Sequence, residues 1–183
     1  EYVALKGNNY TSKGNLYVRT SKNVFAYQTV GYLNNDPDRL YANQELFFVP
    51  PLSCETPHVI DNIPFIERIG SRIYEGRVTL ITQAGSSLTF EINGTTYTTV
   101  SLNALPGITV TGPTAVTGNV NYTTYTITGL KGDVGVFSSG QLYLAAYGTD
   151  DAATFGGFYS GFTFKPEISF SLLDATKSNC IPN

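Results

Sequence analysis

Tryptophan and methionine are absent from this chain of 183 residues, and histidine occurs once, at His58. Charged residues make up only 14% of the sequence, whereas about 25% is typical of soluble domains. The lysines and arginines are scattered, so no basic stripe indicates a nucleic-acid partner. No apolar run reaches the roughly 18 residues of a membrane-spanning helix. The sequence therefore predicts neither nucleic-acid binding nor membrane insertion.

Catalytic motifs are missing as well. His58 stands alone in ETPHVID, and no phosphate-binding loop, GxGxxG, HExxH or nucleophile-elbow motif occurs. Neither cysteine has a neighbour that suggests a nucleophile. The sequence predicts a chain that is not an enzyme. Its acidic residues leave one alternative open, a pair of catalytic carboxylates of the kind that glycosidases use. The first residues, EYVALKGNNY, lack a signal-peptide pattern, as expected of a mature or excised fragment.

Cysteine is scarce, with Cys54 and Cys180 as its two occurrences. A disulfide between them would close a long loop and stabilise the fold by about 4 kcal/mol if it were unstrained. Two free, buried thiols are an equally good interpretation. A β-domain of this length buries roughly 70% of the surface that its unfolded chain exposes. Folding therefore requires neither a disulfide nor a metal.

The residues that are abundant favour β-structure. Thr, Val, Ile and Tyr crowd the chain, and glycine occurs 18 times. Short strand patterns alternate with turn signals at spacings of roughly 8–12 residues, which is typical of sandwiches and barrels. We predict an all-β antiparallel β-sandwich of jelly-roll or Greek-key-like character. Residues 1–175 would form a single domain, and residues 176–183 would begin a linker to a following domain.

The clearest local signal is Asn93-Gly94, which is typical of a type I′ hairpin turn. It separates two predicted strands, Ser87–Ile92 and Thr96–Leu102. Leu40–Phe48 is either a short helix or a strand, because Pro50-Pro51 would stop a helix soon after it. The other predicted strands are Leu16–Thr20, Val24–Thr29, Arg77–Gln83, Ile108–Val110, Tyr122–Ile127, Gly135–Phe137, Gln141–Tyr147 and Phe158–Phe164.

Two segments align without gaps, GNLYVRTSKNVF at Gly14–Phe25 and GDVGVFSSGQLY at Gly132–Tyr143. Each has the pattern of a β-hairpin, and each precedes an acid-bearing loop and an aromatic segment. The alignment favours two related β-halves whose acidic loops emerge at corresponding ends of the fold. A chance likeness between two β-rich hairpins is the alternative.

The two acidic loops are candidate metal or ligand sites. The first loop carries Asp36 and Asp38 beside Asn34 and Asn35, and the second carries Asp150-Asp151. Calcium takes six to eight oxygen ligands, which carboxylates and carbonyls supply. Asp36 and Asp38 are the candidate calcium ligands, but the loop lacks EF-hand spacing. A solvated turn that needs no metal is the favoured interpretation.

The segment YGTDDAATFGGFYSGFTF, Tyr147–Phe164, concentrates aromatic side chains in an otherwise weakly charged stretch. Its aromatics could form a stacking platform for a sugar ring. More often, such aromatics fill a core beside glycines that allow close approach, and we favour that interpretation for Phe155, Phe158 and Phe162. The residues predicted to contact a ligand are therefore Asp36, Asp38, Asp150, Asp151 and Tyr159.

The segments NVFAYQTVG, YANQELFFVPPLSC, GDVGVFSSGQLY and FGGFYSGFTFKPEI together resemble a domain of large surface proteins of gliding Bacteroidetes. That domain is similar to the N-terminal domain of the IgG Fc-binding protein family. The resemblance covers roughly Gly14–Ile168 and is strongest at Ala42–Cys54 and Ala153–Ile168. It implies an adhesin-like protein exported by the type IX route, often with a gliding-motility-associated C-terminal module. It carries no Fc-binding residue over to this chain.

From these observations we expect a non-catalytic extracellular binding or adhesion module within a larger cell-surface polypeptide. Loops at one end would contact a surface glycan or a partner protein. The alternatives are a carbohydrate-binding module of a secreted polysaccharide-degrading enzyme and a structural spacer without a ligand. No cofactor is expected, with calcium as the open alternative.

Overall fold

The computed structural model describes residues 15–30, 45–53, 56–150 and 153–159. Almost all of its regular structure is β-strand. The elements in chain order are β1 (Ala26–Val30), β2 (Glu45–Val49), β3 (Val59–Ile63), β4 (Arg68–Ile69), β5 (Arg72–Ile73), β6 (Glu75–Gln83), β7 (Leu88–Ile92), β8 (Thr95–Thr98), α1 (Thr99–Asn103), β9 (Thr109–Val116), β10 (Asn119–Thr128), β11 (Val134–Ser138), β12 (Leu142–Asp150) and β13 (Ala153–Phe158). The predicted all-β antiparallel sandwich is confirmed.

Two antiparallel sheets form the sandwich. The five-stranded sheet has the order β13-β12-β6-β10-β9, and the four-stranded sheet has the order β3-β11-β7-β8. Non-consecutive strands lie side by side in both sheets, because the chain crosses from one sheet to the other between β3 and β6, between β6 and β7, between β8 and β9, and on both sides of β11. Two further two-stranded ribbons, β1-β2 and β4-β5, accompany the sheets.

The core lies between the two sheets. Strand residues alternate between faces, so each sheet contributes every second side chain to this layer. Leu80, Ile127 and Leu144 from the five-stranded sheet are fully buried, as are Phe90 and Val136 from the four-stranded sheet. Burial of apolar surface here is the main stabilising contribution to the fold.

The opposite face of the five-stranded sheet is partly covered too. Phe47 of β2 packs with Ala145, Tyr147 and Phe158 on that face. A second outer cluster joins Tyr122 and Tyr143 to side chains such as Tyr17 and Leu52. The sheet is therefore apolar on both faces, which explains why β12 reads as a nearly continuous apolar run.

The Asn93-Gly94 turn is confirmed. Both residues have positive φ, 49° and 79°, as a type I′ turn requires, and β7 pairs with β8 across it. The predicted strand Thr96–Leu102 is wrong beyond Thr98. The Thr98 side chain accepts a hydrogen bond from the Ser101 backbone N–H, and the Ser101 side chain accepts one from the Thr98 backbone N–H, so a capping box starts α1 there.

Both hairpins on which the internal repeat rested are wrong. Leu16–Thr20 is irregular, and β1 pairs with β2 instead. In the second copy, β11 and β12 lie in different sheets and face each other across the core. Alternation shows which side chains are buried, but it does not distinguish a hairpin from two strands on opposite walls of one core. The gapless alignment therefore does not correspond to a shared local structure.

Strand bounds differ at other places. Of Leu40–Phe48, the described part is a strand, β2, rather than a helix. The last described strand begins at Ala153 and ends at Phe158, whereas the prediction placed it at Phe158–Phe164, most of which lies outside the described residues. The predicted linker at 176–183 lies outside them as well.

Candidate binding surfaces

Three of the five predicted ligand residues, Asp36, Asp38 and Asp151, lie outside the described part of the chain. The two cysteines of the possible disulfide, Cys54 and Cys180, lie outside it as well. Asp150 and Tyr159 lie within it. Asp150 ends β12, and Tyr159 directly follows β13. The Tyr159 backbone N–H donates to the Leu144 carbonyl at 2.8 Å. Six residues of one strand separate Leu144 from Asp150, or about 20 Å, so the fold does not bring these two candidates together.

Asp150 forms an ion pair. Its Oδ2 lies 3.2 Å from Arg72 Nη1, and both side chains are about half exposed. Arg72 also donates to the Asp150 carbonyl at 3.5 Å. An exposed pair of this kind contributes at most about 1 kcal/mol. The ion pair joins the β4-β5 hairpin to the end of β12 and so fixes the position of the hairpin.

Of the described aromatics in Tyr147–Phe164, Phe155 packs against the core as predicted, whereas Phe158 packs in an outer cluster. Phe155 points into the sandwich and meets Tyr74 edge-on, with ring centroids 4.9 Å apart. Phe158 points to the outer face and meets Phe47 at 5.8 Å. Tyr159 is exposed. Phe162 lies outside the described residues.

Within the described ranges, no three His, Cys, Asp or Glu side chains gather into a group that could hold a metal ion. The exposed His58 has a structural role through its backbone, since its carbonyl accepts a hydrogen bond from the Ser138 N–H at 2.8 Å. The only described helix, α1, spans five residues, so no described helix is long and apolar enough to cross a membrane.

A tyrosine cluster, comprising Tyr17, Tyr122 and Tyr143, lies on the outer face of the five-stranded sheet. The Tyr143 hydroxyl accepts from the Ser53 N–H at 2.6 Å and from the Thr56 hydroxyl at 2.8 Å. The Tyr122 hydroxyl donates to Gln141 Oε1 at 2.8 Å. Burial raises the pKa of Tyr122 above its ordinary value, and the neighbouring Tyr143 and Tyr17 add to the shift. These contacts tie the chain before β3 to β12.

The first candidate surface is an aromatic face on the β1-β2 ribbon, formed by Phe25, Tyr27 and Phe48. Tyr27 and Phe48 are directly paired across the ribbon and so share a face. The Phe48 ring meets Tyr27 at 5.9 Å and Phe25 at 6.2 Å, both edge-on. Phe25 is 81% exposed and Tyr27 is 59% exposed.

The aromatic face exists because the ribbon is apolar on both sides. Phe47 points the other way and is buried against Phe158, so its neighbour Phe48 must point outward. The adjacent pair Phe47-Phe48 in a strand was a usable sequence signal for this arrangement. Sequence reasoning missed it because nothing local shows that the ribbon lies over the sheet as an outer layer.

The second candidate surface is the arginine hairpin, residues 65–73, which contains β4 and β5. Gly70 has φ +60° and occupies the first central position of its two-residue turn, as a type II′ turn requires. The Arg68 guanidinium lies 4.2 Å from the centroid of the Phe65 ring. Phe65, Ile69 and Ile73 are 50%, 54% and 64% exposed. The symmetric string RIGSRI was the sequence signal for this hairpin.

Comparison of the chain with protein-family models, with curated proteins and with solved structures found no match. The resemblance to surface proteins of gliding Bacteroidetes therefore rests on the sequence motifs alone.

Proposed function

We propose that this chain is a non-catalytic extracellular binding or adhesion module of a large cell-surface protein. It contacts a surface glycan or a partner protein through the aromatic face of the β1-β2 ribbon. The observation that carries the proposal is the exposure of Phe25 and Tyr27, which pack around Phe48 on the outward side of a ribbon whose inward side is buried.

Physical considerations support a binding role for this face. Single exposed apolar residues are ordinary on protein surfaces, but contiguous apolar patches mark interaction sites. Aromatic rings contribute large contact areas at low cost in side-chain entropy. They also stack against the C–H faces of sugar rings. The ribbon orients its rings in advance, because β1 and β2 are paired over five residues in register.

The test measures binding of wild type and the double variant Phe25→Ala/Tyr27→Ala on a glycan array and to intact cell surfaces. We expect the double variant to lose at least tenfold in affinity, because each aromatic anchor at an interface typically contributes 1 kcal/mol or more, and about 1.4 kcal/mol is tenfold. Val100→Ala is the matched control, since Val100 is an isolated apolar side chain, exposed on α1.

Other outcomes identify the alternatives. Loss of binding to neutral polysaccharides alone would favour a carbohydrate-binding module of a degradative enzyme, and the full-length gene would then encode a catalytic domain. Undetectable binding by the wild-type chain in both assays would favour a structural spacer. Equal binding by wild type and the double variant would exclude the aromatic face as the contact surface.

A further inference from the structure

We propose that the arginine hairpin is a second binding site, which takes the carboxylate of an acidic sugar in a polysaccharide. The inference rests on the proposed binding function but uses a different surface. The Arg68 guanidinium would pair with the carboxylate, while the exposed side chains of Phe65 and of Ile73, which is paired with Arg68, would contact the apolar face of the sugar ring.

Arg68 is a cation without a neutralising partner among the described residues. Its guanidinium lies over the Phe65 ring at 4.2 Å, and no described carboxylate pairs with it. The described carboxylates that contact the hairpin have other partners, and one of them, Asp133, accepts a hydrogen bond from the Phe65 N–H. Glu67 accepts a hydrogen bond from the Gly132 N–H at 2.8 Å, and Asp150 pairs with Arg72.

Phe65, the residue on which the Arg68 guanidinium rests, is held in place by the fold. Phe65 has φ +48°, a left-handed conformation that only glycine adopts freely. Three hydrogen bonds hold it and its neighbours there. The Phe65 N–H donates to Asp133 Oδ1 at 3.2 Å, the Arg68 N–H donates to the Phe65 carbonyl at 2.8 Å, and the Ile66 N–H donates to the Gly132 carbonyl at 3.0 Å. Strained residues held in this way concentrate at binding sites.

The chemistry of the site favours a carboxylate on a ring. A planar guanidinium forms paired, parallel hydrogen bonds with a carboxylate, and a guanidinium stacked on an aromatic ring keeps its N–H edge free for such a partner. Ile73, which is paired with Arg68 and 64% exposed, supplies apolar surface on the same face of the hairpin as this charge. An acidic sugar offers the same combination, a ring with a C–H face and a carboxylate.

The experiment measures binding of oligogalacturonate, its methyl ester and a poly-glutamate peptide by calorimetry at two salt concentrations. We expect oligogalacturonate to bind and the methyl ester to bind about fivefold more weakly, since an exposed charge pair contributes up to about 1 kcal/mol. Arg68→Ala should weaken binding by a similar factor. Arg68→Lys should also weaken it, because lysine keeps the charge but loses the planar fork.

Arg19→Ala is the matched control, because it removes the same kind of side chain from another exposed position. Arg19 is close to Tyr17, whose N–H donates to the Thr117 carbonyl at the opposite end of the sandwich from the arginine hairpin. Unchanged affinity in Arg68→Ala, equal binding of the methyl ester, or tighter binding of poly-glutamate would each overturn the inference. The Phe25→Ala/Tyr27→Ala variant separates the two proposals. If it retains oligogalacturonate binding but loses other ligands, both surfaces act. If it retains binding to every ligand, the aromatic face is excluded as a binding surface and the arginine hairpin alone accounts for binding.

Discussion

At the scale of single residues, the buried tyrosine hydroxyls are the polar groups on which the outer layer depends. Tyr143 is almost fully buried, and its hydroxyl accepts a hydrogen bond from the hydroxyl of Thr56, which is also buried. A buried hydroxyl that loses its partner bears the full cost of desolvation. This cost makes Tyr143 a specific anchor for the segment that enters β3.

Tyr143→Phe should lower the free energy of unfolding by about 1–3 kcal/mol. The substitution keeps the ring but removes the acceptor of the Thr56 hydroxyl. Denaturant unfolding measures the change, with Tyr159→Phe as the control because Tyr159 is exposed. An identical loss in both variants would show that the Tyr143 hydrogen bonds contribute nothing specific.

Tyr122 predicts how stability depends on alkaline pH. Burial raises its pKa above the ordinary value of 10.0, so the folded state holds this proton to a higher pH than the unfolded chain does. Its contribution is therefore fully present below pH 10 and is lost as pH rises through the folded pKa. We expect the alkaline fall in unfolding free energy to be shallower in Tyr122→Phe than in wild type, since phenylalanine does not ionise. Parallel pH profiles of the two proteins would contradict this.

At the scale of elements, the described contacts between the β1-β2 ribbon and the sandwich centre on one side chain. Phe47 is its buried anchor and meets Phe158 and Ala145. The opposite face carries the aromatics of the proposed site. The ribbon therefore depends on one face for attachment and offers the other for binding.

Phe47→Ala should release the ribbon while leaving the sandwich core folded. The expected loss is about 3–5 kcal/mol for a phenylalanine that packs fully, and we expect it to appear locally. Hydrogen exchange should accelerate at the β1 and β2 amides and stay unchanged at β7 and β11. Tyr27→Ala, on the outward face, is the control that should leave all of these amides protected. Uniform acceleration throughout the molecule would show that ribbon and sandwich unfold as one unit.

The edges of the sheets also differ from one another at this scale. Strand β9 ends the five-stranded sheet and carries Pro113, which lacks a backbone donor. Its register with β10 shifts at the same place, between Thr124 and Thr126. An interrupted edge of this kind discourages pairing with another chain.

At the scale of the whole molecule, the sandwich places its two candidate surfaces on different elements. The aromatic face is the outward side of the ribbon that packs on the five-stranded sheet. The arginine hairpin lies at the end of that sheet where β6 begins and β12 ends. A module with separate surfaces can contact one extended polysaccharide at two points, or two partners. Two linked contacts raise the overall affinity through effective concentration.

Removal of calcium tests the acidic-loop hypothesis on the complete chain. We expect the melting temperature to be unchanged in EDTA, because a solvated turn is the favoured interpretation of Asp36 and Asp38 and the sandwich has a continuous apolar core of its own. Thermal unfolding with EDTA, with excess calcium and with excess magnesium measures this. A drop in EDTA that calcium alone restores would establish a structural calcium site.

The sequence by itself determined the all-β class and the position of most central strands, because period-two alternation and turn residues are local signals. Arg77–Gln83 and the Asn93-Gly94 turn are examples of such predictions. The tertiary structure alone decided which strands pair. β11 and β12 resemble a hairpin in sequence but face each other across the core, since alternation records burial and not the partner that causes it. The same limit applies to the candidate surfaces. Phe48 points outward because Phe47 is buried against Phe158, and Asp150 pairs with Arg72, and both of these contacts join elements distant in the chain.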